Sequence, residues 1–147
     1  NIFGGKITTY RKLAEDSMDK IVPFFPGTSG HWTAGVALPG GDFGVGGFDA
    51  LVARLTSEYS FLDAFWARRL VRAYGTDAWT VLGDATAAED LGQAFGATLT
   101  AREISYLMAH EYARNAEDVV WRRNKLGLRL DAAQIAALDA WMQAHKA

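Results

Sequence analysis

A short stretch near the start of the chain, FGGKITTYR, carries the residue types with the clearest chemical potential. Gly4 and Gly5 would let the backbone approach another molecule closely, because neither has a Cβ atom. The helix predicted after them presents N–H groups without acceptors at its start, and its dipole favours negative charge there. Lys6 places a cation where that dipole disfavours one, which indicates function rather than stability. The stretch therefore suggests an anion site; the alternative is a glycine turn with Thr8 or Thr9 as an ordinary helix cap.

Other candidate motifs fail on their spacing. The Gly-Lys pair does not continue into a phosphate-binding P-loop, because Ile7 stands where Ser or Thr is required. The Gly-Val-Gly run at 44–46 lacks the third glycine of a dinucleotide fingerprint. The His-Glu pair at 110–111 would need a second histidine at the position of Arg114 to bind zinc. With three scattered histidines and no cysteine, the sequence predicts no metal site.

The remaining charged and aromatic residues have structural interpretations. Glu111 falls seven residues after Ile104 on the apolar face of a predicted helix, so we expect a buried carboxylate. A structural ion pair with Arg122 or Arg123 is favoured there over a catalytic carboxylate. The basic segments are interpreted as solvated helix faces: Arg68, Arg69, Arg72, Arg122 and Arg123. Four tryptophans at helical spacing are interpreted as core residues: Trp66, Trp79, Trp121 and Trp141.

The elements that position these residues are mainly helical. Residues 1–25 are predicted to form a strand end, a glycine turn and a helix that stops before Pro23 or Pro26. Residues 26–47 hold eight of the 15 glycines and are predicted to be a linker. Residues 48–147 are predicted to form a bundle-like domain of about six helices without a strand pair. The predicted fold class is therefore mainly α.

Several helix boundaries within this domain have local signals. Gly75 is expected to end one helix. Thr100 and Glu103 have capping-box spacing at the start of another. Asn115 is expected to cap a helix that runs to Gly127, and Asp131 to begin the last helix.

Length and composition exclude several classes of protein. With 147 residues, half of them hydrophobic, the chain is long enough for a domain with its own core. A formal net charge of −2 gives no general reason to expect a nucleic-acid partner. The absence of cysteine excludes a disulfide scaffold. No apolar run reaches the roughly 18 residues of a membrane span, and no signal segment is evident.

Two motifs, GGKITTYRKLAED and AEDVVWRRNKLGL, resemble motifs of FAD-dependent glycerol-3-phosphate dehydrogenases, and they occur here in the same order and at a similar spacing. The first is similar to the last strand and helix of that family's flavin domain, LPGGDF to its linker, and the rest to its C-terminal helical domain. The resemblance implies a C-terminal part of an enzyme that oxidises sn-glycerol 3-phosphate to dihydroxyacetone phosphate and passes electrons through FAD to membrane quinone. It also implies a cytoplasmic location with peripheral membrane attachment, and it allows a homodimer.

The same resemblance implies which residues meet the cofactor. Backbone N–H groups of Ile7 and Thr8 would face the pyrimidine edge of the flavin and stabilise negative charge there. Gly4 and Gly5 would permit close approach, and Lys6 would meet the substrate phosphate or a flavin carbonyl. The family's dinucleotide fingerprint, catalytic histidine and phosphate-binding arginines lie upstream of the matching region. We therefore expect no catalytic residue here and an inactive isolated fragment. The alternatives are a non-catalytic helical interaction module and a domain of a related FAD-dependent oxidase.

Overall fold

The computed structural model describes residues 1–3 and 5–146. Gly4, which belongs to the predicted site, lies outside the described residues, as does Ala147. The chain forms two compact units, Asn1–Ala37 and Leu38–Ala147. The division at residues 25 and 47 stays a prediction.

The N-terminal unit is built on one α-helix. A 3₁₀-helix, Ile7–Thr9, leads directly into α1, Tyr10–Ile21, and a second 3₁₀-helix, Val22–Phe24, follows. The α-helix stops before Pro23 as predicted, because proline has no N–H with which to continue the ladder. The strand end predicted for residues 1–3 is not formed among the described residues.

The C-terminal unit is mainly helical, as predicted. The Asp63 side chain accepts a 2.7 Å hydrogen bond from Trp66 N, and Gly75 ends the same helix. Asp131 and Gln134 form a reciprocal capping box at the start of the last helix. The α-helices are α2 (Phe48–Glu58), α3 (Ala64–Tyr74), α4 (Ala78–Leu82), α5 (Ala101–His110) and α6 (Ala132–Ala144).

A two-stranded antiparallel hairpin precedes α5, so the prediction of no strand pair is wrong. Strands β1 (Ala94–Gly96) and β2 (Leu99–Thr100) pair through Ala94 opposite Thr100. The turn residues Ala97 and Thr98 have φ values of 47° and 67°. Such turns usually carry Asn or Gly, which tolerate positive φ, and the sequence Ala-Thr gives no such signal.

The predicted extent of the helix from Asn115 to Gly127 is also wrong. Asn115 does cap it, because its side chain accepts a 3.0 Å bond from the N–H three residues later. However, the segment is a six-residue π-helix, Asp118–Arg123, after which Asn124 is extended and Leu126–Leu128 forms a 3₁₀-helix. The N–H of Asn124 bonds to the carbonyl five residues earlier, at 3.0 Å, and regular α-helix does not resume.

The core of this unit consists mainly of aliphatic side chains from α2, α3, α4, α5, α6 and the π-helix. Leu70, Ile104, Leu107 and Leu138 are almost completely buried. Trp121 is 39% exposed, so its predicted core position is wrong. Trp66, Trp79 and Trp141, which were also predicted to be core, are half-buried against it.

Gly40 and Gly75 bring two backbone segments of the C-terminal unit into direct contact. The N–H of Thr76 donates to Gly40 O at 2.9 Å. A Cβ atom on Gly75 would lie 1.9 Å from that carbonyl oxygen, and the φ of Gly75 is 56°. Only glycine fits this contact.

Candidate functional site

The predicted anion site is an exposed turn that begins the first helix. Gly5 has φ of 127°, and a Cβ atom there would come within 3.0 Å of Leu13 Cδ2. Lys6 is extended and precedes the 3₁₀-helix. Both the N–H and the hydroxyl of Thr9 donate to Lys6 O, at 3.0 and 3.1 Å. The glycine and the doubled hydrogen bond together fix the direction in which the chain enters α1.

The groups suited to an anion are accessible in this turn. Lys6, Ile7 and Thr8 are exposed, and the first N–H groups of a helix have no acceptor within it. No carboxylate of a described residue pairs with Lys6 within 4.0 Å. Thr9 takes the N-cap position of α1 but makes no side-chain capping bond, so the threonine cap of the alternative reading does not form.

Further along α1 lies a buried carboxylate that no sequence motif predicted. Glu15 is 7% exposed. Its Oε1 accepts hydrogen bonds from Thr33 Oγ1 at 2.5 Å and Arg11 Nη1 at 2.9 Å, and His31 Nδ1 lies 3.7 Å from Oε2. The Thr33 hydrogen bond, with the positive charge of Arg11, lowers the pKa of Glu15. This network ties the segment after α1 back onto the helix.

In the C-terminal unit the buried carboxylate is Glu103 and not Glu111. The helix α5 ends at His110, so Glu111 leaves the apolar face and its side chain is 32% exposed. An ion pair was predicted with Arg122 or Arg123, and the structure forms it with Arg123, at 3.5 Å. Glu103 is 1% exposed and lies one turn before Leu107 on the buried face of α5. That spacing, rather than the capping-box pattern, was the available signal.

Every oxygen of Glu103 has a partner. The Arg69 guanidinium donates to Oε1 at 2.8 Å and to Oε2 at 2.6 Å, and Tyr74 OH donates to Oε1 at 2.7 Å. Burial and the neighbouring Glu103 charge raise the pKa of Tyr74. Burial alone would lower the pKa of Arg69, but the charge and hydrogen bonds of Glu103 raise it. Arg69 also bonds Thr98 in the hairpin turn, so this closed network is structural, and a solvated position for Arg69 is wrong.

The described part of the chain supports neither a metal site nor a membrane-spanning helix. Residues 1–3 and 5–146 hold no group of three His, Asp or Glu side chains placed to bind a metal ion. Among the helices described, none is both long enough and apolar enough to cross a membrane.

Comparison with known proteins finds one matching family and several similar dehydrogenases. Residues 31–146 match the family described as the C-terminal domain of alpha-glycerophosphate oxidase. The chain is 44% identical over 145 residues to glycerol-3-phosphate dehydrogenase of Pseudomonas aeruginosa, covering 99% of the chain and 28% of that relative. It is 42% identical to aerobic glycerol-3-phosphate dehydrogenase of Escherichia coli, covering 97% of the chain and 28% of that relative. It is 37% identical to D-erythritol 1-phosphate dehydrogenase of Brucella abortus, covering 96% of the chain and 28% of that relative.

Proposed function

Because the chain belongs to the family of the C-terminal domain of alpha-glycerophosphate oxidase, we propose that it is the C-terminal part of an FAD-dependent sn-glycerol-3-phosphate dehydrogenase. The observation that carries this proposal is 44% and 42% identity, over nearly the whole chain, to two proteins of that name. The chain spans 28% of the length of these relatives, so the activity belongs to the longer protein. That protein would oxidise glycerol 3-phosphate to dihydroxyacetone phosphate and deliver electrons to quinone. We further propose a cytoplasmic enzyme attached peripherally to the membrane, with a homodimer as its assembly.

The turn before α1 fits a position beside the flavin. The positive φ of Gly5 and the exposed Lys6 let backbone and cation reach a neighbouring ring system. When bound, FAD supplies the acceptor for the hydride of the substrate's secondary alcohol. In this arrangement the N–H groups of Ile7 and Thr8 would hold negative charge at the pyrimidine edge. Gly4, outside the described residues, would share the close approach.

Lys6 is the residue whose replacement tests this assignment. In the full-length enzyme, Lys6→Ala should lower kcat/KM for glycerol 3-phosphate roughly 10- to 150-fold, the equivalent of one charged hydrogen bond of about 1.5–3 kcal/mol. A loss mainly in KM would place Lys6 on the substrate phosphate. A loss mainly in kcat, with a lowered flavin reduction potential, would place it on the flavin.

The matched control is Lys20→Ala, because Lys20 is an exposed lysine in the last turn of the same helix. A cation at a helix C-terminus complements the dipole, so this change should leave kinetics alone. Full activity and flavin content in Lys6→Ala would show that the Lys6 side chain has no part in the site.

The relatives leave two specific alternatives for the full-length enzyme. The name of the Brucella abortus relative makes D-erythritol 1-phosphate a second candidate substrate, also a polyol monophosphate. The family description includes an oxidase, so oxygen is a second candidate electron acceptor. We expect kcat/KM to be higher for glycerol 3-phosphate, and quinone analogues to be reduced without stoichiometric hydrogen peroxide. The reverse result in either assay would replace that half of the proposal.

A further inference from the structure

A cavity of about 490 Å³ in the C-terminal unit lies between α3 and the segment that follows the π-helix. Its lining holds six of the 15 lysines and arginines of a chain whose net charge is −2, and no acidic residue. Such a concentration of one sign in one concave site raises the local concentration of anions. The six residues are Arg68, Arg69, Arg72, Arg123, Lys125 and Arg129.

Half of this positive charge is neutralised from outside the lining. Of the remaining three cations, Arg72, Lys125 and Arg129, none has a carboxylate of the described chain within 4.0 Å. The lining therefore keeps an excess of three positive charges. The neutralised pairs are Arg68–Asp49 at 3.0 Å, Arg69–Glu103 at 2.6 Å and Arg123–Glu111 at 3.5 Å.

The cavity also contains hydrogen-bond donors without acceptors. The Arg129 guanidinium lies over the Phe65 ring at 4.7 Å, a contact through its face that leaves its N–H edges available. Asn124 Oδ1 accepts a 2.9 Å bond from Leu126 N, which fixes Nδ2 as the amide donor. This Nδ2 is buried and has no partner among the described residues. A buried donor without an acceptor is costly. Because this atom is closed to solvent, an anion in the cavity would meet the exposed arginine and lysine donors rather than Asn124 Nδ2.

The backbone that carries these donors departs from a regular helix. The π-helix Asp118–Arg123 ends at an extended Asn124, and this break turns residues 124–129 towards α3. Lys125 Nζ donates back to Trp121 O, which holds the departing segment against the π-helix. Isolated π-helical turns occur frequently at functional sites, because they reposition side chains.

We propose that this cavity binds the phosphate group of an organic phosphomonoester. Three unpaired cations match a dianion better than a single carboxylate, and arginine forks suit phosphate oxygens. The volume exceeds that of a phosphate group and lies within the roughly 300–1,000 Å³ of small-molecule sites. Phe65 and Leu128, which are 44% and 77% exposed, provide apolar surface for an organic body. The phosphate can belong to a soluble metabolite or to a lipid headgroup, and the inference does not depend on the proposed dehydrogenase activity.

The soluble arm of the test titrates the 147-residue chain with phenyl phosphate by calorimetry at constant ionic strength. Benzoate serves as the singly charged carboxylate with the same ring. Saturable binding of phenyl phosphate is expected, with benzoate weaker. Arg72→Gln and Arg129→Gln should each weaken binding at least about tenfold, the loss typical of a charged hydrogen bond. Both side chains are exposed, and unchanged thermal unfolding would verify that the variants fold.

The matched control is Arg54→Gln. Arg54 also lies over an aromatic ring, that of Trp79 at 4.8 Å, and it is not part of the cavity lining. The substitution removes the same charge and the same kind of stacking, so phenyl phosphate affinity should be unchanged. Equal weakening by Arg54→Gln and Arg129→Gln would overturn the proposal, because binding would then reflect only overall charge.

The lipid arm measures co-sedimentation with phosphatidylcholine vesicles that contain phosphatidic acid, against phosphatidylcholine alone. Binding to phosphatidic acid vesicles that the Arg72→Gln, Arg129→Gln double variant abolishes would identify a headgroup as the source. Phenyl phosphate binding without vesicle binding would identify a soluble phosphate. Binding of neither phenyl phosphate nor phosphatidic acid vesicles would refute the site.

Discussion

Each unit of the chain buries one carboxylate beside an arginine, Glu15 beside Arg11 and Glu103 beside Arg69. Both carboxylates also accept a hydrogen bond from a hydroxyl group. Their surroundings differ. Glu15 is the only buried residue of α1, and the side chain of its arginine is 42% exposed. Glu103 lies on α5 beside the buried core residues Ile104 and Leu107. The side chain of its partner Arg69 is only 11% exposed.

This difference in exposure, rather than the number of hydrogen bonds, should determine what each ion pair contributes to stability. Water that reaches Arg11 screens its charge and would solvate either partner if the other were removed. Water is largely excluded from Arg69, so removing either partner there would leave a charge buried without compensation. The two networks should therefore respond very differently to equivalent substitutions.

Removing Glu103 should have the largest effect. Glu103→Ala should lower the free energy of unfolding of the C-terminal unit by about 3–5 kcal/mol, because Arg69 would stay buried without a counter-ion. Urea unfolding followed by tryptophan fluorescence measures this. The Arg69→Met, Glu103→Leu double variant is the control, and it should recover most of the loss because neither charge then remains. A loss below about 1 kcal/mol in Glu103→Ala would mean that water reaches the pair and that the contrast with Glu15 is unfounded.

The features that could be predicted from sequence are those with local causes. The Asp131 capping box and the Gly75 helix end depend on residues within one turn of each other. The end of α1 before Pro23 follows from the missing N–H of proline. Short-range backbone chemistry determines all three, so the helical fold class could be predicted.

The features that escaped prediction depend on residues far apart in sequence. Arg69 and Glu103 meet only because α3 and α5 pack together, and no local pattern distinguishes Arg69 from the exposed Arg68 beside it. The Ala97-Thr98 turn is formed without the residues that usually signal one. For the candidate site, a helical start just before α1 could be predicted because Gly5 and Lys6 adjoin it. Its cofactor role depended on resemblance and stays a prediction.

The hydroxyl that completes the Glu103 network provides the intermediate effect. Tyr74→Phe keeps the ring and removes one hydrogen bond to a charged group, which should cost about 1.5–3 kcal/mol at neutral pH. Because the pKa of Tyr74 is raised in the native state, its contribution is complete below the unfolded pKa of about 10 and is lost as pH rises above it. The difference between wild type and Tyr74→Phe should therefore shrink by up to about 1.4 kcal/mol per pH unit above pH 10.

Urea unfolding between neutral pH and pH 11 checks this dependence on alkali. Tyr112→Phe is the matched control, since Tyr112 is 77% exposed and the same atom is removed. Its unfolding curve should follow wild type at every pH. A constant gap between wild type and Tyr74→Phe above pH 10 would show that Tyr74 does not titrate with unfolding.

The smallest effect should come from Glu15. Its pKa is lowered by the Thr33 hydrogen bond and the Arg11 charge, so its contribution is present above the unfolded pKa and is lost as pH falls through the lower native one. Glu15→Gln should leave the urea midpoint at pH 7 unchanged within error, because water screens the network. It should also remove the decline in hydrogen-exchange protection of α1 that we expect of wild type in acid. Asp16→Asn deletes an equal charge from the neighbouring exposed pair with Lys12, and it should preserve that acid-induced decline. If Glu15→Gln lowered the free energy of unfolding as much as Glu103→Ala, the exclusion of water from Arg69 could not explain a difference in stability between the two networks.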